Sequence, residues 1–226
     1  SKQHSVSVIT LPPSVLYHCK DELAYQSVRI VITAGERCPQ ELVDKWSEHT
    51  RLFNAYGPSE AAVCATMHEI THKGELPAIG VAIPGVEVWL ENEQGEHVVG
   101  EGRGELIIGG NGVGLGYLDR PELTAAKFTS NPRAFRTGDV ASRDTHGLLH
   151  YEGRVDRQVK VDGIRIELEH IESVLEQNEH VSRVFVTDYK DTTSTKIVAF
   201  IVPKSGIEES MLRDELVQLC RLQLPL

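Results

Sequence analysis

Residues 27–58 read SVRIVITAGERCPQELVDKWSEHTRLFNAYGP, and this stretch decides the fold. Ser27 to Ile32 is a β-branched run ending in Ala34-Gly35-Glu36, the pattern of a strand followed by a turn. Pro39 then opens a helix running to about His49. Proline suits a first helical turn, where its missing N–H would have no partner in any case. Arg51 to Asn54 is a second short strand, entering the tight turn Tyr56-Gly57-Pro58. Strand, helix and strand in this order are the signature of an α/β crossover. Upstream, Ser5 to Thr10 alternates polar and apolar residues, as a strand inside a sheet does.

Downstream the texture changes. Val86, Val88 and Leu90 alternate with Glu87 and Glu91, and nine of the 19 glycines fall between Gly95 and Gly116. Short strands with glycine corners predict a small β-barrel-like subdomain. Pro121 to Phe128 reads as a short helix, Phe135 to Val140 as an extended piece broken by Thr137-Gly138-Asp139, and Leu148 to Tyr151 as a strand. Residues 153–157 (Gly-Arg-Val-Asp-Arg) form the expected joint. Beyond it, Gln158 to Val161 and Ile164 to Ile166 flank Asp162-Gly163, a strong hairpin signal. A helix over Glu167 to Gln177, strands at Val181 to Val186 and Lys196 to Val202, and an amphipathic helix from Glu208 to Leu224 complete the pattern. The expected fold class is α/β and α+β, with residues 1–155 as the end of a larger core and 156–226 as a small α+β unit.

The chain has 226 residues and a formal net charge of −10. Such acidity disfavours nonspecific binding to nucleic acid or anionic lipid. No apolar run approaches the roughly 18 residues of a membrane span. The cysteines at 19, 38, 64 and 220 form no Cys-x-x-Cys pair and read as reduced thiols of a cytoplasmic protein. The chain opens on Ser1 and stops at Leu224-Pro225-Leu226 within a helical pattern, so both ends read as cuts in a longer polypeptide.

His68-Glu69-Ile70-Thr71-His72 fits the spacing of a zinc protease, which needs both imidazoles on one helical face. Lys73-Gly74 and Pro77 follow at once and Ile70-Thr71 favours strand, so a strand end is expected. No nucleophile elbow, phosphate-loop lysine motif or dinucleotide glycine fingerprint is present. Asn54-Ala55-Tyr56-Gly57-Pro58-Ser59-Glu60 is more informative. A strand ends in a rigid turn that presents an aromatic ring, a hydroxyl and a carboxylate, a set able to stack a base, touch phosphate and hold a hard cation through oxygen. Asp139 could accept from both hydroxyls of a ribose or simply cap its turn. Arg154 could meet phosphate or ribose oxygens, or join Asp156 and Arg157 in a surface ion-pair cluster.

Taken in order, five blocks resemble the adenylate-forming enzymes, and within them the amino-acid adenylation domains of nonribosomal peptide synthetases. They are Asn54 to Glu60, Gly104 to Gly110 continuing to Gly116-Tyr117-Leu118, Phe135 to Asp139, Gly153 to Lys160, and Gly163 to Glu169. The resemblance spans about residues 5 to 225. It implies attack of an amino-acid carboxylate on the α-phosphorus of ATP, giving an aminoacyl-adenylate that is passed to the phosphopantetheine thiol of a peptidyl carrier domain on the same longer chain. It implies that Tyr56 stacks on adenine, Asn54, Ala55 and Gly57 line that pocket, and Ser59 approaches the α-phosphate. Glu60 would bind Mg²⁺, and Asp139 would hold the ribose with Arg154 assisting. Asp156 would serve as hinge and Gly163 would line the thiol channel.

Through the flanking blocks the resemblance also places Thr10, Ile32, Ala34, Ala55, Val63 and Cys64 in the amino-acid pocket. The set is small and mostly apolar, suited to phenylalanine or another aromatic side chain. Three positions depart from the family pattern: Ser59 replaces the common threonine, Gly114-Leu115 replaces Ala-Arg, and Val140 replaces leucine. The family's upstream phosphate loop and downstream lysine are not in these residues, which implies that the 226 residues alone do not catalyse adenylation. The competing readings are an acyl- or aryl-CoA ligase of the same superfamily and a noncatalytic nucleotide-binding remnant.

Overall fold

The computed structural model describes residues 6–19, 27–130, 132–161, 164–190 and 195–224. The chain forms two compact units, Ser1–Val155 and Asp156–Leu226.

The first unit opens with a five-stranded sheet of β1 (Val8–Leu11), β2 (Ile30–Ala34), β3 (Arg51–Tyr56), β4 (Thr66–Ile70) and β5 (Val81–Ala82), in that spatial order. The first three strands are parallel and the last two antiparallel. Helix α2 (Gln40–Trp46) carries the expected crossover, with Pro39 as its N-cap. Its apolar side buries Leu42, Val43 and Trp46 against Val31, Leu52 and Ile70, which share one row of the sheet. Burying a side chain of this size contributes about 1.5–3 kcal/mol, so truncating Leu42 would empty the centre of this layer. Helix α1 (Pro13–Tyr17) was not legible in the sequence: at five residues it spans little more than one turn, too short for periodicity to register. Only Leu16 of its larger side chains is fully buried, and it joins the same core.

The glycine-rich region forms a second, wholly antiparallel sheet. It contains β6 (Val86–Glu91), β7 (Gly102–Gly110), β8 (Phe128–Ser130), β9 (Arg133–Arg143) and β10 (Leu149–Arg154). The order is β10-β9-β7-β6, with β8 paired to β9. Strands β7 and β9 run nine and eleven residues, longer than the glycine spacing suggested. Gly104 shows why glycine lies inside β7: a Cβ there would stand 2.3 Å from the Glu91 carbonyl oxygen. Gly153 and Arg154 end β10 rather than belonging to a free joint. Helix α3 (Pro121–Lys127) precedes β8.

In the second unit, β11 (Gln158–Val161) and β12 (Ile164–Glu167) form the expected hairpin ladder; its connection, Asp162-Gly163, lies outside the described residues. Helix α4 (Leu168–Leu175), the long pair β13 (Val181–Lys190) and β14 (Thr195–Pro203), and helix α5 (Glu209–Gln223) follow. Leu168, Leu175, Val186, Leu212 and Leu216 form its core. Leu219 and Cys220 pack against that core, as the helical spacing predicted.

All four cysteines are free thiols, and burial pushes the Cys38 thiol up to about 12. No described helix is long and apolar enough to cross a membrane.

Candidate functional site

Asp139 stands on a bulge. Along the β7–β9 ladder Glu105 faces Val140 and Ile107 faces Arg136, so Thr137, Gly138 and Asp139 stand opposite the single residue Leu106. Bulges re-aim side chains beside functional sites. The excursion needs a left-handed residue, and Gly138 supplies it at φ +73°. The Thr137 hydroxyl donates to the Leu106 carbonyl (2.6 Å) and accepts from the Asp139 N–H (2.9 Å).

On the other edge of β9, Arg154 lies in register with Asp139. Its Nη1 donates to Asp139 Oδ1 at 2.5 Å and its Nη2 to the Thr137 carbonyl at 3.1 Å. The Tyr56 hydroxyl donates to Asp139 Oδ2. The side chains of Arg154 and Asp139 are only 12% and 11% exposed, so this is a buried ion pair, not a surface cluster. Burial, then the negative charge of Asp139, hold the Tyr56 phenol well above its ordinary range. Each Asp139 oxygen keeps acceptor capacity beyond its present partner, because an ionised carboxylate offers about four lone-pair sites.

The chain after β3 builds the second wall. Gly57 is demanded by close approach: a Cβ there would lie 2.6 Å from the Val63 carbonyl oxygen and 2.7 Å from the Ala65 nitrogen. Ser59–Ala61 is one 3-10 turn, and Ala62 and Val63 then take left-handed backbone at φ +55° and +74°. That conformation is rare for any residue with a side chain and rarer for a β-branched one. The Ala65 N–H closes the loop on the Tyr56 carbonyl at 2.8 Å. The glycine block of residues 109–117 holds Glu60 twice. The Tyr117 hydroxyl donates to Glu60 Oε1 at 2.6 Å, and the Gly114 N–H donates to the Glu60 carbonyl at 2.8 Å. Ser59 is exposed.

The sheet register settles where the other named residues lie. Thr10 pairs with Ile32, and Ala34 with Ala55, which puts these four on one face of the first sheet, opposite the face packed by α2. Phe53 pairs with Ile32 on that face and was not singled out in the sequence; its alternation with Ala55 is the signal that could have found it. Val63 is 75% exposed in the loop beyond β3. Cys64 is partly buried, with its thiol raised by burial and its Sγ 3.5 Å from the Thr66 carbonyl oxygen. Asn54 is buried on the α2 side of β3, where its Nδ2 donates to the Ala78 carbonyl at 2.8 Å.

Asp156 begins the second unit, and its Oδ1 accepts from the Gln158 N–H at 3.3 Å. Arg157 does not join Arg154; its two Nη atoms bind Glu172 at 2.9 Å. Gly163 lies outside the described residues. The zinc-like stretch is the strand β4 and its exit, as expected. His68 binds Glu75 at 2.6 Å and Glu69 pairs with Arg51 at 2.7 Å. Among the described residues no group of three or more histidine, cysteine or carboxylate side chains could enclose a metal ion. A single carboxylate such as Glu60 still suits Mg²⁺, which takes one or two carboxylates and completes its shell with phosphate oxygens and water.

Known proteins share this sequence pattern and fold. Residues 1–118 match the AMP-binding enzyme family, and residues 170–225 match the AMP-binding enzyme C-terminal domain. Tyrocidine synthase 1 of Brevibacillus parabrevis is 38% identical over 225 residues, covering 96% of this chain and 21% of that protein. The solved structure of IdnL1 superposes with a TM-score of 0.85 at 29% identity, over 99% of this chain and 49% of that one. A second structure, PA1221, a nonribosomal peptide synthetase protein containing adenylation and PCP domains, superposes at 0.82 with 25% identity, over 93% of this chain and 39% of that one. The chain thus spans about a fifth of the first relative and less than half of either solved structure. The match over residues 1–118, just over half of its length, shows that the chain belongs to the AMP-binding enzyme family.

Proposed function

We propose that this chain is part of an amino-acid adenylation domain that uses ATP to activate an amino acid as its adenylate, for transfer to a phosphopantetheinyl carrier domain in nonribosomal peptide synthesis. The observation that carries the reading is the Asp139 carboxylate, fixed by Arg154 and Tyr56 yet with acceptor capacity to spare for a ribose diol. Tyr56 offers its ring face to adenine, beside Ala55 and Gly57, with Asn54 fixing β3 behind them. Ser59 faces the α-phosphate from an exposed turn. Glu60, steadied by Tyr117, would hold Mg²⁺, whose charge offsets that of the phosphates.

The substrate face of Thr10, Ile32, Ala34 and Ala55, extended by Val63 and Cys64, is mostly apolar and favours an aromatic side chain. Asp156 serves as the hinge between two half-reactions, and Gly163 leaves room for the carrier's thiol arm. The likeness to synthetases, one of them with adenylation and PCP domains, supports the carrier as partner.

The complete polypeptide should then exchange pyrophosphate into ATP with phenylalanine or tyrosine and far less with glycine or aspartate. The 226 residues alone should bind AMP without forming an adenylate. Exchange driven by fatty or aryl acids instead of amino acids would move the assignment to the CoA ligases. Nucleotide binding with no exchange on any acid would leave a binding remnant.

A further inference from the structure

We propose that Glu105 is a positioning residue: it holds the Thr137–Asp139 bulge in shape, and through the bulge it aims the Asp139 carboxylate. The consequence for nucleotide rests on the reading given under Proposed function.

The bulge creates the need. Three residues of β9 face one residue of β7, so the backbone of the turn lacks ladder partners. Side chains replace them. Thr137 Oγ1 takes the Asp139 N–H, and Glu105 Oε1 takes the Gly138 N–H at 3.0 Å. The Gly138 carbonyl accepts from the Val155 N–H at 2.8 Å. Gly138 is the residue whose left-handed backbone turns the chain toward Asp139, so fixing its N–H fixes the direction of the next side chain.

Glu105 is itself anchored. Its Oε2 accepts from Arg136 Nη2 at 2.6 Å, while Arg136 Nη1 donates to Glu91 Oε2 at 2.6 Å. Glu91 also accepts from the Trp89 indole at 2.9 Å. Glu91 and Glu105 are direct cross-strand neighbours on β6 and β7, and like charges in that relation repel. The Arg136 fork between them turns the repulsion into a clamp. The Glu105 side chain is only 15% exposed and both its oxygens are occupied, so it has the geometry of a brace and not of a ligand contact. No single stretch of sequence contains this chain of contacts, which runs from Trp89 through Glu91, Arg136 and Glu105 to Gly138.

The test compares the 226-residue chain with E105A, E105Q and R136Q. Hydrogen exchange at the Gly138 amide reads the brace without nucleotide, and calorimetric titration with AMP reads its consequence. Glutamine keeps an oxygen for the Gly138 N–H but turns its NH2 toward the Arg136 guanidinium, so it loses the anchor and keeps the acceptor. E105A should exchange at Gly138 at least 10-fold faster and bind AMP at least 10-fold more weakly, while E105Q, which keeps the Gly138 acceptor without its anchor, should fall between E105A and wild type. The loss should be nonadditive with D139N, because both substitutions act on one carboxylate. If E105A does not fold, R136Q leaves Glu105 in place but unanchored and should show the same pair of effects at smaller size.

Unchanged Gly138 exchange in a folded E105A overturns the proposal. So does faster exchange with undiminished AMP affinity, or additivity with D139N. A wild-type chain that binds no AMP overturns the nucleotide reading instead, and the Gly138 rates then still decide whether Glu105 holds the turn.

Discussion

Arg154 and Arg157 lie three residues apart in the sequence, and each holds a carboxylate in a different unit of the molecule. Around Arg157 the carboxylate holds three protein donors. Glu172 accepts both Nη atoms and also the Val186 N–H at 2.7 Å, while the guanidinium lies 4.8 Å from the centre of the Phe185 ring. Around Arg154 each oxygen of Asp139 holds one protein donor, and the partners are a phenol and a guanidinium that leave lone pairs over. The first arrangement closes a fold. The second is a carboxylate that the fold has oriented and left able to accept more. Charge type and spacing are the same in both, and the difference lies in how many donors the surrounding backbone brings.

The largest expected effect comes from D139N. It removes the negative charge beside an arginine that is only 12% exposed. Breaking a buried pair from one side costs about 3–5 kcal/mol. Denaturant unfolding of the first unit should show this loss, and AMP titration should show at least a hundredfold weaker binding. A D139N chain as stable as wild type would mean that Arg154 has another anion at hand, and the contrast with Arg157 would collapse.

E172A should act on the other side of the comparison. Its main penalty is the Val186 N–H, left without its acceptor beside a fully buried residue. An unsatisfied buried donor costs about 1–3 kcal/mol. Amide exchange should quicken across β13, β14 and α4 while AMP affinity stays unchanged. The Glu172 carboxyl is held below the usual range, with Arg157 as the first cause. A depressed carboxylate stabilises the fold above its unfolded value, so this support is lost as pH falls into the acid range. Weakened AMP binding in E172A would contradict a purely structural role.

How much of this was legible follows from distance along the chain. The Asn54–Glu60 and Thr137–Asp139 turns could be read because glycine, proline and polar residues punctuate a strand locally. The hairpin at residues 158–167 was legible for the same reason, and the apolar face of α5 from its helical period. Tyr117 could not be assigned to Glu60, 57 residues away, because no local period encodes a single hydrogen bond between distant loops. Arg154 and Arg157 look like one cluster in sequence. Only the end of β10 and the start of the second unit separate them, and that separation belongs to strand register. The Asp139 bulge was visible as a turn but not as a bulge, since its depth depends on Leu106 standing opposite alone.

Alkaline titration sharpens the receptive half of the comparison with a smaller effect. The Tyr56 phenol is raised by burial and by Asp139, so the folded state favours its neutral form. Its contribution is fully present below the ordinary phenol value of about 10 and is lost as pH rises toward the folded value. Wild-type stability should therefore fall as pH rises above about 10, and Y56F should remove part of that slope. In ultraviolet titration one of the six tyrosines should resist ionisation until the chain unfolds. Equal slopes in wild type and Y56F would mean that the fold does not hold the phenol above its ordinary range.

The smallest effect is expected at Val63, where the loop around Gly57 carries strain. A β-branched residue at φ +74° costs about 1–2 kcal/mol, and replacement by glycine costs back about 0.5–1 kcal/mol of chain entropy. Val63 is 75% exposed, so little burial is lost with its side chain. V63G should therefore stabilise the first unit slightly, by about 0.5–1 kcal/mol on balance, seen as a small rise in melting temperature. In the complete polypeptide the same change should relax discrimination between large and small amino acids, because the wall it removes faces no core. Gly57, one loop width away, is glycine because backbone atoms leave no room for a Cβ, and Val63 keeps its side chain against backbone preference. A V63G chain that melts lower than wild type would show that Val63 is held by the fold after all.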